Sequence, residues 1–192
     1  TVKKLVVNND GVKNNSESGS SSYPFYGVKG FETLKLTGTV FRNVMSASMK
    51  ATVSSIEGFN GITVFYSDVL AGCRIKDSLI ISSNVTSIGS NAFKSSGITF
   101  DSVDLSSCTG NNSVGYNAFT GATVKKLLIN DNGVKNNSES NSSSYPFYGV
   151  NGFTTLQIES GTTKIYNELS SSMKRTISEV TVPSSVKEIS SN

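Results

Sequence analysis

Residues 79–93 read LIISSNVTSIGSNAF, and the order of residue types in that stretch decides the fold. Leu79, Ile80 and Ile81 form a short apolar strand, in which alternate side chains face opposite ways. A polar turn, Ser82-Ser83-Asn84, follows, and then a second signature, Ile88-Gly89-Ser90-Asn91-Ala92-Phe93. The same succession returns along the chain. Apolar-x-apolar triplets begin at Leu5, Leu34, Ile56, Leu79, Val103, Leu127, Leu156 and Val180, at separations of 29, 22, 23, 24, 24, 29 and 24 residues. That regularity belongs to stacked repeats, where each unit is one coil and neighbouring coils share a continuous core.

A longer repeat lies over the short one. Residues 1–36 and 123–158 are identical at 27 of 36 positions at a constant offset of 122. The two spacings of 29 have one cause, an inserted Asn/Ser run at residues 14–22 and again at 136–144. With no apolar residue to offset ordering entropy, these runs read as surface loops.

The second signature recurs as Val114-Gly115-Tyr116-Asn117-Ala118-Phe119, with the variants Pro24-Phe25-Tyr26-Gly27 and Pro146-Phe147-Tyr148-Gly149. Together with Val182-Pro183-Ser184-Ser185-Val186-Lys187-Glu188-Ile189, it resembles the BspA-like leucine-rich-repeat family. The resemblance spans essentially the whole chain, strongest over 79–129 and 180–192 and weakest over 40–73, where Gly58 replaces a strand aliphatic. Met49 and Met173 stand in for the aromatic. It implies a leucine-rich-repeat solenoid with a parallel β-sheet on one side and loops and short helical turns on the other, right-handed by the crossover rule. Residues 1–192 are then one domain of about eight repeats. The chain starts on a strand and stops inside a signature, and so reads as a piece of a longer protein. Within the stack, Phe93, Phe119, Phe25 and Phe147 are expected to form an aromatic spine.

Composition narrows the chemistry. The chain has 17 basic and 14 acidic residues, a formal charge of +3, and no run long enough to span a membrane, so neither nucleic acid nor membrane insertion is expected. Histidine and tryptophan are absent, which removes the commonest general base and metal ligand. The nearest carboxylate pairs, Asp101 with Asp104 and Glu179 with Glu188, do not have the placement that acid/base work requires. The glycines stand singly at turns, so no phosphate loop is present. No catalytic residue, metal or cofactor is expected. Cys73 and Cys108 could form one bridge in a secreted protein, but they read better as two buried free thiols on different sides of the coil. Five Asn-x-Ser/Thr sequons occur, at Asn14, Asn84, Asn111, Asn136 and Asn141; Asn84 is expected to turn its amide inward.

A solenoid sheet presents a long surface to another macromolecule. Its outward positions are small, polar and mixed in sign, and the candidate binding residues are Lys4, Lys35, Lys126, Asn130 and Gln157. The resemblance implies an extracellular or cell-surface protein that binds a host or matrix protein or glycoprotein and mediates adhesion. The alternative is an architectural stalk without a specific ligand. Apolar repeat faces near the two ends also suggest end-to-end self-association.

Overall fold

The computed structural model describes residues 3–8, 28, 30–130, 145–166 and 169–189. Phe25, both Asn/Ser runs and the sequons at Asn14, Asn136 and Asn141 lie outside them. Eight strands of the described residues stand at the eight expected positions. They are β1 (Lys4–Val7), β2 (Thr33–Leu36), β4 (Ser55–Glu57), β6 (Leu79–Ile81), β8 (Thr99–Asp104), β10 (Lys126–Ile129), β11 (Thr155–Ile158) and β13 (Glu179–Thr181). All their pairings are parallel, as the stacking of like coils requires. In β10, Leu127 and Ile129 are buried while Lys126 and Leu128 lie half-exposed, so one face fills the core and the other faces out.

Two departures from the sequence reading appear on this front. Val103 pairs with Ile81 instead of Leu79, and the register shifts between Leu79 and Ile80, so Leu79 pairs with Phe100 and Ile80 with Ser102. The cause is a bulge that turns both Phe100 and Val103 inward although they lie three positions apart. The ladder is also interrupted: β1-β2-β4 and β13-β11-β10-β8-β6 are separate sheets, and β4 and β6 do not pair. At the interruption Gly58 takes a left-handed φ of 77° and leads into a 3-10 turn, Phe59–Gly61, that carries the Phe59 ring into the core.

The other side of the coil is not made of loops and helical turns alone. A second parallel ladder runs there through β3 (Val40–Phe41), β5 (Val64–Phe65) and β7 (Ser87–Ile88), and a bridge from Ile88 to Val114 extends it. Further along, β12 (Lys164–Ile165) pairs with β14 (Glu188–Ile189), while β9 (Thr123–Val124) pairs with the start of β8 and so joins the front sheet. After Ile88 the chain turns so tightly that a Cβ on Gly89 would lie 2.4 Å from the Ser67 nitrogen, and one on Gly115 would lie 2.4 Å from the Ser90 nitrogen. Asn91 and Asn117 then adopt φ of 56° and 57°, a left-handed conformation that asparagine tolerates better than most residues. Ala92 with Phe93, and Ala118 with Phe119, follow fully buried.

The aromatic spine is present and wider than expected. Phe93, Phe119 and Phe147 are joined by Phe59, Phe65 and Phe100, with neighbouring centroids 4.8–6.4 Å apart. Where methionine replaces the aromatic, the coil closes with a helical turn instead: α1 (Ala47–Lys50) and α2 (Ser171–Thr176) bury Met49 and Met173. Each turn is N-capped by a buried serine; Ser46 Oγ accepts from the Met49 N–H at 3.4 Å and Ser170 Oγ from Met173 at 3.5 Å.

Candidate binding face

The alternation that buries Leu34 and packs the half-buried Leu5 and Ile56 against the core turns Lys4, Lys35 and Glu57 outward on neighbouring strands. Lys4 Nζ donates to both Glu57 carboxylate oxygens, at 2.8 and 2.9 Å, across the intervening β2. Lys35 Nζ lies 3.9 Å from the same carboxylate. The Lys4 hydrogen bond, reinforced by both positive charges, holds the Glu57 carboxyl below the usual carboxylate range. Two of the five candidate residues are therefore clamped by one acidic partner. Glu57 escaped the sequence reading because it lies 53 residues from Lys4, and only the parallel register makes them near neighbours.

Of the other three, Lys126 and Gln157 belong to the β13-β11-β10-β8-β6 sheet and Asn130 directly follows its strand β10. Lys126 pairs in register with Thr155, while Gln157 stands between Leu128 and Thr181. Both are half-exposed and face outward. Asn130 is differently employed. Its Nδ2 donates to the Ser106 carbonyl at 2.6 Å and to the Leu105 carbonyl at 3.5 Å, stitching its coil to the preceding one. The interruption between β4 and β6 divides the five residues into two groups. Exposed aromatic surface lies elsewhere: Tyr66, Tyr116 and Tyr148 are 43, 46 and 40 % exposed, and the Arg42 guanidinium sits 4.3 Å from the Tyr66 ring centroid. Tyr66 follows the second ladder's Phe65 and Tyr116 follows Gly115, so neither stands on the strand face.

The carboxylates considered for acid/base chemistry have structural partners. Asp101 takes an ion pair from Lys125 at 2.6 Å, and Asp104 accepts from the Ser106 N–H at 2.9 Å. Glu188 is paired with Lys164 at 2.5 Å, and Glu179 accepts from Thr155 Oγ1 at 3.4 Å. Among the described residues no three His, Cys, Asp or Glu side chains group to hold a metal ion. Asn84 corrects the expectation of an inward amide: it is exposed, accepts from the Ser82 hydroxyl and donates to the Asn60 carbonyl of the coil before it at 3.3 Å.

Cys73 and Cys108 are both free and completely buried. The Cys108 thiol donates to the Val85 carbonyl at 3.3 Å. Lys50 is buried as well; its Nζ donates to the Asp68 carbonyl, and burial pushes its pKa down. Burial pushes both thiols up to about 12. Because the folded value lies above the unfolded one, the thiols' contribution to stability is whole below pH 9 and is lost as pH rises toward about 12. Lys50 acts with the opposite sign, so a Cys73→Ala/Cys108→Ala variant separates the two. Native protein at pH 8 is expected to resist iodoacetamide, and denaturant is expected to render both thiols reactive. Mass spectrometry showing rapid double alkylation of the native chain would contradict the buried placement.

The family model described as BspA type Leucine rich repeat region matches the chain in 6 copies, over residues 14–99 and 63–192. No curated protein and no solved structure matches it.

Proposed function

Because the chain belongs to the BspA-type leucine-rich-repeat family, we propose that it is a non-catalytic, extracellular or cell-surface binding module that holds a host or matrix protein or glycoprotein. The observation that carries this reading is the outward row of the second sheet, where Lys126, Thr155 and Glu179 stand side by side in register, with Gln157 and Thr181 alongside. A rigid row of polar side chains of both signs on a continuous sheet is suited to complementary charge and hydrogen bonding with a partner surface. Few large apolar groups accompany it, and this favours weak or multivalent engagement. Exposed Val180, Val182 and Ile189 support self-association as a secondary property.

Lys126→Glu gives the cleaner test, because reversing Lys4 or Lys35 also breaks the Glu57 clamp. In solid-phase binding to immobilised extracellular-matrix proteins, the wild-type chain is expected to bind and Lys126→Glu to bind roughly tenfold more weakly, a change of about 1.4 kcal/mol. An unaltered melting temperature would exclude misfolding. Equal binding by wild type and variant would move recognition off this row, and no binding by either would favour a stalk.

A further inference from the structure

The interruption of the front ladder leaves two strand edges facing each other inside the stack, where a solenoid normally has none. β4 ends one sheet and β6 ends the other. Behind them the coils remain joined: the Lys76 N–H donates to the Ser54 carbonyl at 3.0 Å, the Arg74 N–H to Val53 at 3.1 Å, and β5 pairs with β7. The opening is therefore a wedge on the outer face. It forms a cleft of about 260 Å³ with apolar walls from Ile56, Phe59, Leu79 and Ile80, and with Asn60, Asp77 and Ser78 at its polar rim.

The main chain of this cleft is chemically incomplete. Ser55 donates its N–H to the Glu32 carbonyl on the β2 side at 3.1 Å. Main-chain groups of successive residues point to opposite sides of a paired strand, so the Ile56 N–H and C=O point into the wedge, where no strand pairs with β4. Across from it β6 has no paired strand on its outer edge, and the Phe59–Gly61 turn lies beside it. A donor and an acceptor presented together beside an apolar wall are complemented by another peptide main chain.

We propose that this wedge is a peptide-binding site. It takes an extended segment of the partner protein, whose main chain pairs with Ile56 and the β6 edge while one apolar side chain enters between Ile56 and Leu79. Asp77 at the rim favours a basic residue beside that apolar one. This is strand addition, in which main-chain hydrogen bonds supply affinity and the pocket for alternate side chains supplies selectivity. It rests on the protein-binding reading above and deepens it by naming the shape of the bound segment.

The test uses the whole ¹⁵N-labelled chain and a capped heptapeptide of alternating valine and lysine. Amide shifts are expected at Ile56, Asn60, Ser78 and Ile80. Ile56→Pro removes an N–H that makes no bond in the ladder, so the sheet survives while peptide affinity falls about tenfold. Ser78→Trp, which obstructs the cleft from its rim, is expected to give the same loss without altering the backbone. The peptide N-methylated at alternate residues is expected not to bind. Full affinity in both variants overturns the proposal, as does full affinity of the N-methylated peptide or the absence of cleft shifts at millimolar peptide. Shifts confined to Lys126 and Gln157 would overturn the cleft while leaving the protein-binding reading intact.

Discussion

Replacement of Phe93 by alanine is expected to lower the unfolding free energy by about 3–5 kcal/mol. Phe93 is fully buried and touches four other rings, with centroids 6.3 Å from Phe59, 5.3 Å from Phe65, 5.0 Å from Phe100 and 5.2 Å from Phe119. Its two closest partners, at 5.0 and 5.2 Å, come from the next coil, and Phe59 and Phe65 come from the preceding one, so truncation opens a void that three coils share. A packed column between fixed backbones collapses poorly, which places the loss in the range for buried aromatic truncations rather than below it. Urea denaturation followed by circular dichroism measures it. A loss under about 1 kcal/mol would mean that the ring is not core.

Gly89→Ala and Gly115→Ala are each expected to cost about 3 kcal/mol, the upper end for overpacking, because the new methyl group meets main chain that cannot rotate away. On Gly89 the Cβ would stand 2.4 Å from the Ser67 nitrogen and 2.6 Å from the Tyr66 carbonyl carbon; on Gly115 it would stand 2.4 Å from the Ser90 nitrogen. Relief requires the coils to separate where Gly89 N–H donates to the Phe65 carbonyl and Gly115 N–H to Ile88, both at 2.7 Å. Gly110 is the control, since a Cβ there meets nothing within 4 Å. Its alanine variant should fall within about 0.5 kcal/mol of wild type. Equal denaturation midpoints for Gly89→Ala and Gly110→Ala would refute the close approach.

The strand positions were legible because inward aliphatics at alternate positions, repeated with a nearly constant spacing, leave little freedom in placing the coils. The β8 register was not legible, because the bulge makes Phe100 and Val103 share a face across an odd separation that a period of two assigns to opposite faces. The second ladder was hidden for a simpler reason: strands of two residues, such as Val64–Phe65, are too short to display any period. Gly58 stood out in the sequence as an exception among strand aliphatics. That it would release Phe59 into the core and part β4 from β6 depends on how the Gly58 turn meets Leu36, whose carbonyl oxygen would lie 2.1 Å from a Cβ at that position. On the candidate face, the outward direction of Lys4, Lys35, Lys126 and Gln157 followed from alternation. The engagement of Lys4 by Glu57 and of Asn130 by Ser106 is a cross-coil property, set by register and invisible to local pattern.

In a repeat stack each coil is stabilised mainly by its neighbours, so folding cooperativity travels coil to coil through whatever joins them. Between β4 and β6 the front strands do not pair, and the transmission falls to the second ladder, to the main-chain bonds from Arg74 and Lys76 to Val53 and Ser54, and to the rings that cross the gap, Phe59 and Phe65 against Phe93 and Phe100. The coils before the gap and those after it are thus two potential folding units, held in one transition in part by aromatic packing. Removing Phe93 acts at that joint. Beyond lowering stability, it is expected to split amide hydrogen exchange into two blocks, with β1, β2 and β4 opening independently of β8, β10 and β11.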